Sequence, residues 1–170
     1  NIPAPCRPRS QLPAEAVHAR LTAINTILFS DASDQDKEAE LLLFVGDCFT
    51  PDKARLSRNK HNDSDAVQRV KAMIEGRYRE TLLLDELATE AGMSRYHLLR
   101  AFRHRVGMTP HAWQIDLRIQ QSRRLLNQGL PLAEVALQLG FADQSHFQRA
   151  FKQRVAATPG EYRQVAGSSS

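Results

Sequence analysis

The sequence has few of the residues from which covalent or metal-bound scaffolds are built. Two of its 170 residues are cysteine, too few for a disulfide framework or a four-cysteine zinc site. No apolar run approaches the roughly 18 to 20 residues that a membrane-spanning helix requires, so we expect no membrane partner. A reduced, cytoplasmic compartment is the simplest interpretation of the two cysteines.

Motifs of enzyme chemistry are also missing. The sequence contains no His-Glu-x-x-His, Cys-x-x-Cys or glycine-rich phosphate loop, so we expect no catalytic residue, no metal and no cofactor. The first residues lack the pattern of a signal peptide. Because the sequence begins at Asn1 without an initiator methionine, we interpret it as a processed or truncated chain.

Charge is distributed unevenly, although the net charge is only +4. Residues 1–63 contain 8 Lys+Arg against 9 Asp+Glu, whereas residues 64–170 contain 15 against 10. Such an asymmetry is typical of a nucleic-acid-binding half joined to a neutral partner-binding half. A net charge of +5 is also compatible with an ordinary solvated surface.

Helical periodicity predicts an amphipathic hairpin in the N-terminal segment, residues 1–54. Residues 1–12 contain three prolines and no periodicity, which indicates an irregular leader. Apolar residues then recur at three- and four-residue steps up to Leu28, and a second helix is predicted from Asp34 to Phe49. Two short helices cannot bury this much apolar surface alone. We therefore expect the 13–49 hairpin to pack on the rest of the chain or to form a homodimer interface.

Two polar segments are predicted to lie outside the packed units. Residues 55–65 have no apolar face and are interpreted as a linker, after which Ser64 or Asp65 is suited to cap a helix. Residues 165–170 are predicted to form a flexible tail.

An internal repeat is the most informative feature of the sequence. Leu84-x-x-Leu87-Ala88 matches Leu132-x-x-Val135-Ala136 at an offset of 48 residues, as Gly92 matches Gly140. After that glycine the offset is 49 residues, and the match continues through Phe102 with Phe151 to Thr109-Pro110 with Thr158-Pro159.

Each copy has the boundary signals of a helix-turn-helix unit. The glycine ends a short helix, and Ser94 or Asp143 is suited to cap the next one. Leu98, Ala101 and Phe102 then face inward in the first copy, as Phe147, Ala150 and Phe151 do in the second, so that positions 95, 96, 99, 100 and 103 face outward. A helix over 110–127 would span about 27 Å. The pattern thus predicts an all-α protein with two helix-turn-helix subdomains on a long linker helix, preceded by the hairpin.

Residues 64–164 resemble the DNA-binding domain of the AraC/XylS family of bacterial transcription regulators. The resemblance is carried by LATEAGMSRYHLLRAFRHRVGMTPHAW and, more specifically, by the G-F-x-D-x-S-H-F-x-R-x-F-K run from Gly140 to Lys152. It implies a DNA-binding domain over 66–164 that inserts helices at about 95–105 and 144–154 into successive major grooves of promoter DNA. It also implies RNA polymerase as a partner, and a β-rich sensor domain before the hairpin that is missing here.

The resemblance also implies the residues that read DNA. Base contacts fall to Arg95, Tyr96, Leu99 and Arg100 in the first copy and to Gln144, Ser145, Gln148 and Arg149 in the second. Arginine at these positions can bind guanine, glutamine can bind adenine, and Leu99 can touch a thymine methyl group. Arg103 and Lys152 are assigned to phosphates. Ala157 stands where the resemblance implies a glycine equivalent to Gly107, which predicts a strained turn.

Alternative interpretations remain open for several of these residues. Arg100 and Arg149 could instead pair with acids such as Glu90, and Tyr96 could simply cover the start of its helix. His97 and His146 are more consistent with hydrogen-bonded packing positions than with metal ligands. For the whole chain, the alternatives to a regulator are a DNA-repair methyl-acceptor enzyme, which needs a reactive cysteine, and an antagonist that binds only protein.

Overall fold

The structure is a computed structural model that describes residues 14–30, 32–49 and 60–167, and within these ranges all regular structure is helical. The helices are α1 (Ala14–Leu28), α2 (Asp34–Phe49), α3 (Lys60–Arg77), α4 (Leu84–Ala91), α5 (Arg95–Val106), α6 (Pro110–Asn127), α7 (Leu132–Gln138), α8 (Gln144–Val155) and α9 (Pro159–Gly167). None of these described helices is long and apolar enough to cross a membrane. The all-α prediction is confirmed.

Two predicted segment ends differ from the structure. Helix α3 begins at Lys60, inside the predicted linker, so the prediction that Ser64 or Asp65 caps it is wrong. Its first turns extend a helix that is held further on by the buried Ala66 and Val67. Helix α9 continues to Gly167, so residues 165–167 are helical rather than part of a tail. The predicted leader 1–12, linker residues 55–59 and tail residues 168–170 lie outside the described residues.

Each helix-turn-helix unit has a hydrophobic core of its own. The first core joins α3, α4 and α5 and is centred on Val70, Ile74, Leu98 and Phe102. The second joins α6, α7 and α8 through Ile119, Leu126, Phe147 and Phe151. The six inward positions predicted from the repeat are all buried, because apolar residues at helical spacing share one face.

The turns are built as the repeat predicts. The Ser94 side chain accepts a hydrogen bond of 3.3 Å from the His97 backbone N–H, and Asp143 accepts one of 2.6 Å from His146. Gly92 and Gly140 both have positive φ angles, 65° and 76°. These contacts satisfy N–H groups that a helix start leaves without an intrahelical partner.

The strained backbone predicted at Ala157 lies one position earlier, at Ala156. The residue equivalent to Gly107 is Ala156, the single non-glycine residue with a positive φ, 59°, in the described part of the chain. The offset of 49 residues continues through the end of α8, so that Ala156 closes this helix as Gly107 closes α5.

A buried arginine joins the two units through the linker helix α6. Arg118 has 5% of its surface exposed. It donates hydrogen bonds of 2.6 Å, 2.8 Å and 2.6 Å to the carbonyl oxygens of Tyr78, Glu80 and Gly140. The neighbouring Gln114 also donates to the carbonyls of Tyr78 and Glu80. Burial lowers the pKa of Arg118 to about 10. Tyr78 and Glu80 follow the end of α3, and Gly140 lies in the turn between α7 and α8. Because the same side chain binds both segments, it fixes the orientation of one helix-turn-helix unit relative to the other.

Candidate nucleic-acid interface

The second predicted recognition helix, α8, presents an open polar face. Gln144, Ser145, Arg149 and Lys152 are exposed, and Gln148 is half-buried. Among the described residues, no carboxylate lies within ion-pair distance of Arg149 or Lys152. Such a face, with cations and amides on one side of a helix, can contact both phosphates and base edges.

His146 lies at the edge of this face and is held in its packing position. Its ring stands edge-on to Phe141, with the ring centroids 5.3 Å apart. Burial lowers its pKa, and the nearby charges of His111 and Arg149 act in the same direction. The equivalent His97 differs from expectation, because its Nε2 is buried and has no hydrogen-bond partner in the described structure. No group of three metal-ligating side chains occurs among the described residues.

The first predicted recognition helix, α5, is covered by the hairpin. Helix α2 packs along it, and acidic residues of α2 pair with its cations. Arg95 contacts Glu38 at 3.1 Å and also Asp85 of α4 at 2.9 Å. Arg103 contacts Glu40 at 2.7 Å. Two predicted DNA-contacting arginines are thus paired with carboxylates of the same chain.

Asp47 is the centre of a second polar cluster between the hairpin and α5. The Tyr96 hydroxyl donates a hydrogen bond of 2.7 Å to Asp47 and accepts one of 3.0 Å from Arg100. Arg100 lies 3.7 Å from the same carboxylate, and Arg20 of α1 pairs with its other oxygen. Arg100 therefore pairs with Asp47 and not with Glu90, which lies 3.9 Å from Arg69.

The pKa values of the cluster reflect this pairing. Burial opposes ionisation of Asp47, but hydrogen bonds from Arg20 and Tyr96 and the charges of Arg20 and Arg100 hold its pKa below the ordinary value. Burial and the hydrogen bond to Asp47 raise the pKa of Tyr96. Asp47 is thus held as a carboxylate against a neutral phenol and two guanidinium groups.

The prediction that Leu99 faces solvent is wrong in this conformation. Its side chain is 1% exposed and packs against Ala39 and Leu43 of α2. Leu99 belongs to this separate cluster and not to the core of the first helix-turn-helix unit. It therefore points away from its own unit, as the repeat predicts, but the hairpin covers it.

A glycine allows the close approach of α2 to α5. A β-carbon at position 46 would overlap the ring of Tyr96. The sequence shows Glu38, Glu40 and Gly46 on a predicted helix but not the surface that this helix covers. Sequence reasoning therefore missed the acidic partners of α5, although a row of carboxylates beside an apolar stripe was visible.

Two helix-turn-helix units, each with its own core and held on one linker helix, define a double helix-turn-helix protein. A family model described as a helix-turn-helix domain matches residues 87–165. The transcriptional regulator YbfI of Bacillus subtilis is 42% identical over 83 residues, which cover 49% of this chain and 30% of YbfI. MtrA of Neisseria gonorrhoeae, also an HTH-type transcriptional regulator, is 39% identical over 85 residues, 49% of this chain and 28% of MtrA. The chain thus spans less than a third of the length of these two relatives.

Solved structures identify the type of domain. A transcriptional regulator from Chromobacterium violaceum with an AraC-type DNA-binding domain is 26% identical, with a TM-score of 0.57 over 63% of this chain and 96% of that chain. The DNA-binding domain of AdpA, solved in complex with a target DNA, is 30% identical, with a TM-score of 0.55 over 59% of this chain and 91% of that chain. The matched part of this chain is a helix-turn-helix domain of the AraC type.

Proposed function

We propose that the AraC-type domain binds double-stranded promoter DNA with sequence specificity and that the chain is the DNA-binding part of a transcription regulator. The open face of α8, which carries cations and amides on a capped helix of a helix-turn-helix unit, is the observation that carries the proposal. It is further supported by the likeness to the AdpA domain, whose structure contains target DNA.

The residues of α8 divide into two kinds of contact. Gln144, Ser145, Gln148 and Arg149 read base edges from the outer face of the helix, with Arg149 suited to a guanine and either glutamine to an adenine. Lys152, about one turn beyond Arg149, neutralises a phosphate and fixes the register of the helix without reading sequence.

Helix α5 has the same division of roles in the first unit. Arg95, Tyr96, Leu99 and Arg100 occupy base-reading positions and Arg103 a phosphate position, and all five require that α2 leave the helix. The 18 residues of α6 span about 27 Å, which is near the 34 Å of one DNA turn. Helices α5 and α8 then enter successive major grooves, and some bending of the DNA accommodates the difference between the length of α6 and one DNA turn.

Selection from a random DNA pool tests the proposal. The selected duplex and a duplex of scrambled sequence are then titrated by fluorescence anisotropy at several salt concentrations. We expect the selected duplex to bind about 100-fold more tightly or better, with an affinity that falls steeply as salt increases. Equal affinity for both duplexes would contradict a sequence-specific regulator, and no binding to either duplex would favour the protein-binding antagonist.

The partners of the chain follow from the same proposal. We propose promoter DNA in the cytoplasm, RNA polymerase at the promoter, and a regulator that performs no enzymatic reaction. The hairpin exposes apolar side chains on its outer face, among them Leu21, Leu41 and Val45, which supports the proposal of a homodimer. Light scattering tests this: a mass of 19.1 kDa at micromolar concentration would contradict it.

A further inference from the structure

Helix α2 occupies the surface of α5 that a DNA major groove would occupy. A recognition helix reads bases only when it enters the groove with its outer face free. In this structure that face contacts the hairpin along most of its length, from Arg95 to Arg103. DNA and α2 cannot cover the same side chains at the same time.

The charges of α2 match those of the DNA that it would replace. Glu38, Glu40 and Asp47 pair with Arg95, Arg103 and Arg100, the three cations of α5 that the proposed function assigns to DNA. Ion pairs whose arginines remain partly open to solvent are individually weak, so they specify the position of α2 more than they stabilise it. They do, however, give each of these cations an intramolecular partner in the absence of DNA.

An apolar contact closes the same surface. Leu99, which is nearly inaccessible to solvent, packs under Ala39 and Leu43, and the ring of Tyr96 lies against the backbone at Gly46. The contact is nevertheless small, because Ala39, Leu43 and Leu99 are the buried residues of its cluster, and an open cleft of about 440 Å³ lies beside it between α1, α2 and α5. Each helix-turn-helix unit buries a larger apolar cluster, so this contact can separate more easily than the core of either unit.

We infer that the α1–α2 hairpin is an intramolecular competitor of DNA for the first recognition helix. In the docked state, defined by the contacts of α2 with α5, only α8 is open to DNA. In the undocked state both helices are open and the chain reads two half-sites. This inference deepens the proposed function and rests on it. A factor that stabilises the undocked state would raise DNA affinity, since apparent affinity scales with the fraction of the competent state.

A single methyl group tests the competition. Gly46→Ala places a β-carbon against the Tyr96 ring, whereas a β-carbon at Gly76, also within a helix, meets no atom within 4 Å. Both substitutions favour helix formation equally and leave the charge unchanged. Gly76→Ala is therefore the matched control, and any difference between the two variants reports on the α2–α5 contact.

The readouts are the affinity and the length of the DNA motif that each full chain selects from a random pool. We expect Gly46→Ala to bind its selected duplex about ten-fold more tightly or better than the parent and Gly76→Ala. We also expect it to select two half-sites about one helical turn apart, whereas the parent selects one. Equal affinities and motifs in all three proteins would overturn the inference while leaving the proposed function intact. If no protein prefers any duplex, the proposed function fails and the inference fails with it.

A charge variant provides an independent test that does not depend on the tolerance of position 46. Glu38→Gln with Glu40→Gln removes two carboxylates that face α5, and Glu75→Gln with Glu134→Gln removes two exposed carboxylates of α3 and α7. Both double variants change the net charge equally. A gain in affinity of about ten-fold confined to the α2 variant supports the competition. The same gain in both would mean that net charge alone is responsible and would overturn it.

Discussion

Arg118 donates a hydrogen bond of 2.6 Å from its guanidinium to the carbonyl oxygen of Gly140. The same side chain holds the carbonyls of Tyr78 and Glu80, so that one residue of the linker helix contacts the main chain of both helix-turn-helix units. The partners of the Arg118 guanidinium are main-chain carbonyl oxygens and not a carboxylate. Burial lowers the pKa of Arg118 to about 10.

Removal of this guanidinium should destabilise the domain as a whole. We expect Arg118→Met to lower the free energy of unfolding by about 2–4 kcal/mol, because the Gly140 carbonyl loses its donor and the carbonyls of Tyr78 and Glu80 keep only the bonds from Gln114, while the aliphatic volume is retained. Arg123→Met, at an exposed position of the same helix, should change it by less than about 0.5 kcal/mol. Urea denaturation of both variants measures the difference. Similar values for the two would mean that Arg118 does not join the units.

Gly140 is constrained more strongly than the other turn glycines. A β-carbon there would overlap the carbonyl oxygen of Arg79, and the residue has a positive φ of 76°. Gly129 also has a positive φ, 82°, but a β-carbon there would meet no atom within 4 Å. We expect Gly129→Ala to cost about 1–2 kcal/mol, the penalty of left-handed backbone alone, and Gly140→Ala to cost at least about 3 kcal/mol. Thermal unfolding followed by circular dichroism distinguishes them, and an equal loss would contradict the close approach.

The end of α8 offers a stabilising substitution. Ala156 has a φ of 59°, a conformation that costs an L-residue about 1 kcal/mol and that glycine adopts freely. We expect Ala156→Gly to raise the free energy of unfolding by about 0.5 kcal/mol, after the greater entropy of glycine in the unfolded chain is subtracted. At Ala157, which has no positive φ, a change to glycine only increases the entropy of the unfolded chain. Ala157→Gly should therefore lower the free energy of unfolding. A loss in both variants would show that residue 156 is not strained.

Two cations of α8 should respond differently when DNA is the ligand. Arg149→Ala is expected to cost about 1–3 kcal/mol on the selected duplex and to relax the preference at one base pair. Lys152→Ala should weaken binding to every duplex alike and reduce the salt dependence by about one counterion. Anisotropy titrations with duplexes that carry single base-pair changes separate these outcomes. If both variants lose affinity uniformly, Arg149 does not read a base.

Local signals were sufficient to predict the units but not the contacts between them. Ser94, Asp143 and the turn glycines act within a few residues of their own position, so the sequence pattern alone locates them. The pairing of Arg95 with Glu38 joins residues 57 positions apart, and periodicity shows that a helix has an apolar stripe without showing what covers it. This is why the sequence correctly predicts that Leu99 points away from the core of its own unit but wrongly predicts that solvent reaches it.

Arg118 was missed for a related physical reason. An arginine that shares a helix face with Gln114 and Ser122 resembles any solvated cation, and its acceptors are backbone carbonyls that every residue possesses. Only the fold brings the end of α3, the turn at Gly140 and the middle of α6 together. The start of α3 was predicted too late for a simpler reason. Residues without an apolar face can still extend a helix whose later residues, Ala66 and Val67, are buried.

The use of carbonyl oxygens as the partners of Arg118 has a consequence for how such domains diversify. Because the junction depends on main-chain atoms at positions 78, 80 and 140, the exposed side chain at position 80 can change without altering the acceptors, whereas Tyr78 also packs against the second core. The surface residues of either unit can therefore be exchanged independently while the spacing between the units is preserved. A chimera that keeps Arg118 and Gly140 but takes α8 from a relative should retain its geometry and acquire the binding preference of the donor.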